Sequence, residues 1–118
     1  MMTAILLTGR AGNPARSTEL PPSQADRSAW LREQINAEHA EPWRLSGNRL
    51  LWISDQENEP GYNVAATTVA RLNLVCDLRE TVSGPAVITG ADPAGGSPVG
   101  LTAEQAETTL RELLPALR

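Results

Sequence analysis

Lysine and phenylalanine are absent from this chain of 118 residues, and cysteine, histidine and tyrosine each occur once. The absence of lysine excludes a phosphate-binding loop of the Walker type, which requires that residue. A single cysteine cannot form an internal disulfide, which is typical of proteins that fold in a reducing cytoplasm. All ten basic residues are arginine. That bias fits a genome rich in G and C, and it indicates origin rather than function.

Long apolar runs and a basic face are also missing. No run approaches the roughly 20 apolar residues that a membrane-spanning helix needs. The start, MMTAILLTGR, lacks the basic segment and the cleavage site of a signal peptide. The net charge is −4 and the arginines are scattered among acidic residues, which argues against binding to the phosphate backbone of nucleic acids. We therefore expect a soluble cytoplasmic protein with no nucleic-acid or membrane partner.

The residues that are present favour one globular domain. Apolar residues make up 41% of the chain, which is enough to build a core at this length. We predict a single α+β domain over residues 1–118, with about three helices on a mixed, largely antiparallel sheet of about four to five strands. The periodicity places strands near 3–8, 42–46, 49–54 and 81–89, a short strand near 16–20, and helices near 23–38, 64–73 and 102–114.

Two places carry strand and turn signals. Gly47-Asn48 separates two apolar segments and predicts a β-hairpin with a type II′ turn, in which Ser46 lies opposite Arg49. Gly84-Pro85 falls inside the last predicted strand. Because proline cannot donate a hydrogen bond to a neighbouring strand, this dipeptide predicts a bulge or an edge position.

Three helix starts carry capping signals. Asn63 is an N-cap residue for the second helix, because its side-chain oxygen can accept from a backbone amide of the first turn. Thr102 and Gln105 have the spacing of a capping box before the third helix. Ser23 and Asp26 resemble such a box before the first helix, although glutamate or glutamine is the usual partner.

The segment DQENEPGYN, residues 55–63, contains the candidate binding residues. Its acids alternate as in the first part of a calcium loop, but proline stands at the position where such a loop has glycine. We therefore predict no metal site, and the structural interpretation is a solvated turn between a strand and a helix. A lone aromatic tip beside acids can also position a ligand. The binding interpretation names Asp55, Glu57, Glu59, Tyr62 and Asn63.

No other constellation predicts chemistry. Cys76 lies in the apolar segment LVCDL, where a buried unreactive thiol is ordinary. His39 lies in the polar segment AEHAEP, and nothing in the sequence brings the two together as a nucleophile and base. The turn LLTGRAGN lacks the third glycine and the following helix of a dinucleotide fingerprint. We predict no catalytic residues, no cofactor and no metal ligands.

Four segments, ILLTGRAGNPARSTEL, WLREQINAEHAEPWRL, NRLLWISDQENEPGYNVAATTVARL and ETVSGPAVITG, occur in an order that resembles a known family. It is a family of small proteins of phages, plasmids and high-GC bacteria, catalogued as a domain of unknown function. The resemblance places Asp55 and Glu57 in an acidic loop and Asn63 and Ala66 at a helix start. It implies Gly84, Val87 and Gly90 in a strand, and it implies no catalytic residues.

Two functional hypotheses follow. In the first, the protein is a non-enzymatic accessory or interaction protein of a mobile element, and it binds a protein partner or a small ligand. In the second, it is a small enzyme whose site is the Asp55–Asn63 loop, with Tyr62 and an acid as the reacting groups. A deep pocket joining Tyr62, Glu57 and His39 would favour the enzyme, and a convex acidic surface would favour the binding protein.

Overall fold

The computed structural model describes residues 2–10, 12–54, 62–76, 80–94 and 96–116. Within these ranges the chain forms six strands and three α-helices, followed by a 3₁₀ turn at Leu114–Ala116. The elements in chain order are β1 (Thr3–Leu7), β2 (Ala15–Glu19), α1 (Gln24–Ile35), β3 (Ala40–Leu45), β4 (Arg49–Ser54), α2 (Val64–Leu72), β5 (Ala86–Ala91), β6 (Pro98–Val99) and α3 (Ala103–Leu113). The predicted α+β class is confirmed.

The strands form one sheet in the order β2-β1-β5-β4-β3, and β6 pairs with the end of β5. Every pairing among the described strands is antiparallel, so the sheet is not mixed. The count exceeds the expected four to five strands because β6 has two residues and lies in a segment rich in glycine and proline. No described helix is long and apolar enough to cross a membrane.

Helices cover both faces of the sheet because the strands alternate two apolar sets of side chains. On one face, Ile5 and Leu7 of β1 pack in a cluster with Leu51, Val69 of α2 and Leu113 of α3. On the other face, Leu6 of β1 and Val87 of β5 pack against Leu31 and Ile35 of α1. The result is a three-layer domain in which α1 is the one described helix on its side of the sheet.

The prediction for Gly84-Pro85 is wrong. These residues precede β5, which starts at Ala86 and lies at the centre of the sheet, with all of its residues buried. Gly84 has a φ of 76°, a conformation that turns the chain into the strand. Pro85 stands just outside the hydrogen-bonded ladder, where its missing N–H has no cost.

The hairpin is present, but its predicted turn and register are wrong. Leu45, not Ser46, lies opposite Arg49. Gly47 and Asn48 both have positive φ, 72° and 58°, whereas a type II′ turn has positive φ at the first central residue alone. The longer loop closes around a side chain, since the Arg49 guanidinium Nε donates to the Ser46 carbonyl at 2.9 Å.

Two of the three predicted helix caps are confirmed. The Asn63 side chain accepts from the Ala66 amide, and Thr102 and Gln105 form both bonds of a capping box. Ser23 occupies the N-cap of α1 but makes no side-chain capping bond. The Asp26 amide donates instead to the Ser23 carbonyl at 3.1 Å.

Candidate functional site

The residues predicted to bind fall into three groups. Asp55, Glu57 and Glu59 lie outside the described residues. Tyr62 is 49% exposed and forms an isolated antiparallel bridge with Ser83. Asn63 is 1% exposed. Of the described pair, Tyr62 is therefore accessible to a ligand, whereas Asn63 is enclosed by the protein.

The side chain of Asn63 joins three parts of the fold. Its Oδ1 accepts from the Ala66 amide at 3.0 Å, which caps α2. Its Nδ2 donates to the carbonyl of Leu7, at the end of β1, at 3.2 Å and to the carbonyl of Gly84, just before β5, at 2.8 Å. Its backbone N–H donates to the Val82 carbonyl at 2.8 Å. This residue therefore fixes the start of α2 against two neighbouring strands.

His39 and Cys76 lie on opposite sides of the sheet. Cys76 is half-buried and packs against the cluster beneath α2 and α3. His39 is exposed and precedes Ala40, which packs against the cluster beneath α1. The fold therefore does not bring His39 and Cys76 together as a nucleophile and base.

A cleft lies between α1 and the strands beside it. It has a volume of about 300 Å³ and is bounded by α1, the start of β3, the middle of β4 and the start of β6. We call it the α1 cleft, and its lining consists of Gln24, Ser28, Leu31, Arg32, His39, Ala40, Trp52, Ser97 and Pro98. Its volume lies at the lower end of the range for small-molecule sites.

The α1 cleft has an apolar floor and a polar rim. Trp52 is half-buried, and its indole N–H donates to the Thr89 hydroxyl at 2.9 Å, which fixes the plane of the ring. Arg32, His39 and Ser28 are exposed at the rim, and none of them makes a side-chain hydrogen bond or ion pair to another described residue. Because these polar groups are uncommitted, they are free to bind a ligand placed over the indole.

A buried arginine fixes one wall of the α1 cleft. The Arg27 guanidinium donates to the carbonyl of Pro98, a lining residue on β6, at 2.9 Å. It also donates to the Pro21 carbonyl at 2.9 Å and lies 3.0 Å from the sulfur of Met2. No carboxylate of the described residues pairs with it, so backbone dipoles balance its charge. Arg27 thereby ties α1 to β6 and keeps the cleft's width.

A second buried arginine lies on the opposite face. The Arg49 guanidinium is 1% exposed and forms a two-pronged ion pair with the Glu112 carboxylate, with distances of 2.6 and 3.1 Å. Thr109 accepts from it at 3.0 Å, and Asn73 donates to Glu112 at 2.9 Å. These bonds join the hairpin to α2 and α3. Since its polar atoms are engaged within the protein, this network serves the fold.

The α1 cleft is not predictable from the sequence, because its residues come from four separate segments and none of these segments has a spacing that indicates a site. Among the described residues, no group of three or more histidine, cysteine, aspartate or glutamate side chains is placed to hold a metal ion. Comparisons with protein-family models, with curated proteins and with solved structures found no match to this chain.

Proposed function

We propose that this is a non-enzymatic binding protein and that it holds a small ligand in the α1 cleft. The observation that carries this proposal is the pairing of a fixed, half-buried indole with a rim of uncommitted polar side chains. Such a combination of a flat apolar surface and a few polar groups is typical of small-molecule sites. A role as an accessory protein of a mobile element rests on the family resemblance of the sequence segments.

The chemistry of the cleft defines the ligand class. The face of Trp52 favours a flat apolar or aromatic group. Arg32, on the last turn of α1, is permanently charged and favours a carboxylate or another anionic group at the rim. The ligand proposed is therefore a small aromatic acid, with its ring over Trp52 and its anionic group toward Arg32.

A titration with 2-naphthoate, followed by the three tryptophan indole N–H resonances, tests this proposal. We expect a saturable shift of the Trp52 resonance, assigned with Trp52→Phe, and a smaller or no shift for Trp43, which packs on the opposite face. Arg32→Gln should weaken binding several-fold. Arg111→Gln, which removes the same charge from α3, is the matched control. Equal shifts of all three indoles, or no saturable shift, would contradict the α1 cleft as the site.

The enzyme hypothesis stays an alternative. Its site residues at positions 55–61 lie outside the described ranges, and Tyr62 does not line the α1 cleft that His39 lines. The protein-partner form of the binding hypothesis has one supporting observation. Tyr62, Val64 and Leu72 are each about half exposed on α2 and just before it, at 49%, 47% and 55%. A small-ligand titration that fails at the α1 cleft would favour these alternatives.

A further inference from the structure

A second cleft lies on the other side of α1, between that helix and the β1–β2 hairpin. It has a volume of about 240 Å³, below the range for drug-sized ligands, and therefore suits a smaller molecule. Its lining consists of Leu6, Thr8, Arg10, Asn13, Arg16, Gln34 and Pro85. We call it the hairpin cleft. It shares no lining residue with the α1 cleft.

The local fold brings two cations to this cleft. Arg16 lies opposite Leu6 in the β1–β2 pairing, and Arg10 lies in the turn that joins the two strands. Hydrogen bonds fix this turn, since the Thr8 hydroxyl accepts from the Arg10 amide at 3.1 Å and donates to the Asn13 carbonyl. The β1–β2 pairing and its turn therefore place Arg10 and Arg16, which are six positions apart in the sequence, at the same cleft.

Four of the five polar side chains that line the hairpin cleft are uncommitted, and most of their polar hydrogen-bonding groups are N–H donors. Within the part of the chain that the structure describes, the guanidinium groups of Arg10 and Arg16 make no ion pair or hydrogen bond. The same holds for the side-chain amides of Asn13 and Gln34. No carboxylate of a described residue lines the cleft. In a protein of net charge −4, this leaves a local excess of positive charge that no carboxylate of the described residues balances.

We propose that the hairpin cleft is a binding site for a small oxyanion, bound by Arg10 and Arg16 with support from the Asn13 and Gln34 amides. A guanidinium presents paired N–H groups that match the oxygens of a phosphate or a carboxylate. Such charge-assisted hydrogen bonds are stronger than hydrogen bonds between neutral groups. The cleft's size selects a compact anion rather than an extended polymer. This site is separate from the α1 cleft and goes beyond the function proposed for it.

Isothermal titration with inorganic phosphate and, separately, with citrate tests this site at constant ionic strength. We expect saturable binding of at least one of them. Arg10→Gln and Arg16→Gln should each weaken it tenfold or more, and the double variant should abolish it. Both arginines are exposed and make no side-chain bonds within the described chain, so these variants should melt at the wild-type temperature.

Two control variants make the outcome decisive. Arg44→Gln removes an exposed arginine from β3, at the opposite edge of the sheet, and should change the affinity less than twofold. Arg111→Gln removes an exposed arginine from α3, which lies on the other face of the sheet and lines neither cleft, and it should also change the affinity less than twofold. Absence of saturable binding by both anions, or an equal loss in Arg44→Gln, would overturn the proposal. Duplex DNA binding that depends on Arg10 and Arg16 would overturn the small-anion assignment.

Discussion

Asn63 provides a test of how one buried side chain holds the fold together. Asn63→Ala removes the cap of α2 and also removes the Nδ2 donor from the carbonyls of Leu7 and Gly84. The lost cap costs about 1 kcal/mol, and each lost hydrogen bond costs about 1 kcal/mol. We therefore expect a loss of about 3 kcal/mol in the free energy of unfolding, rather than the loss of about 1 kcal/mol that the cap alone implies.

Asn63→Ser separates the cap from the two tethers. Serine is as good an N-cap as asparagine, but its hydroxyl is too short to reach two carbonyls on different strands. We expect this variant to lose about 2 kcal/mol, which is the share of the two Nδ2 bonds. Thr102→Ala on α3 is the matched control, because it removes a cap whose side chain has no second role, and it should cost about 1 kcal/mol.

Urea denaturation followed by tryptophan fluorescence measures these differences. With a slope of about 1.5 kcal/mol per molar, a loss of about 3 kcal/mol lowers the midpoint by about 2 M, and a loss of about 2 kcal/mol lowers it by about 1.3 M. The order of stability should be wild type, Thr102→Ala, Asn63→Ser and Asn63→Ala. An Asn63→Ser midpoint equal to that of the wild type would refute the tethering role.

Two further outcomes follow from the geometry, and a third follows from the sequence. Glu112→Ala leaves the buried charge of Arg49 unpaired and should lower the free energy of unfolding by about 3–5 kcal/mol. The double variant Arg49→Met, Glu112→Leu removes both charges and should lower it by less. Equal losses for the two variants in urea denaturation would contradict this reasoning. Gly47→Val forces a β-branched residue into a φ of 72° and should cost about 1–2 kcal/mol, while Gly47→Asn should cost little. Replacing Asp55, Glu57 and Glu59 with Asn, Gln and Gln should change the free energy of unfolding by less than about 0.5 kcal/mol. Calcium should not raise the melting temperature of the wild-type protein. A saturable rise with calcium that the three substitutions abolish would show that these acids form a metal site.

Local signals predicted most of the fold. Asn63 and the Thr102–Gln105 pair cap their helices by bonds that span three residues, so the information lies within one turn of sequence. The hairpin at Gly47 was likewise visible from its turn residues. The register of the hairpin is not predictable from the turn residues, because the loop closes on the Arg49 side chain. That side chain is held by Glu112, which lies 63 positions away in the sequence.

The sites were less predictable than the fold. A sequence pattern predicts a site when its residues are expected to share one helix face or one loop, which is why the alternating acids at 55–59 stood out in the sequence. The α1 cleft instead combines Arg32, His39, Trp52 and Pro98, which meet because α1 crosses the sheet and Arg27 holds it to β6. The position of α1 on the sheet is a property of the packed core, and no periodicity in the chain specifies it.

All the basic side chains of this protein are arginines, and they occur both in the buried hydrogen-bond networks of the fold and at the two proposed sites. Arg49 is buried with a carboxylate partner and Arg27 with backbone carbonyls, and in each case the planar group reaches several acceptors in fixed directions. A lysine, with a single compact ammonium, would satisfy fewer of these acceptors. The same geometry applies where Arg10, Arg16 and Arg32 face solvent without a partner among the described residues. Each cleft therefore presents a flat, multidentate donor rather than a point charge, and it favours ligands with two or more anionic oxygens in one plane.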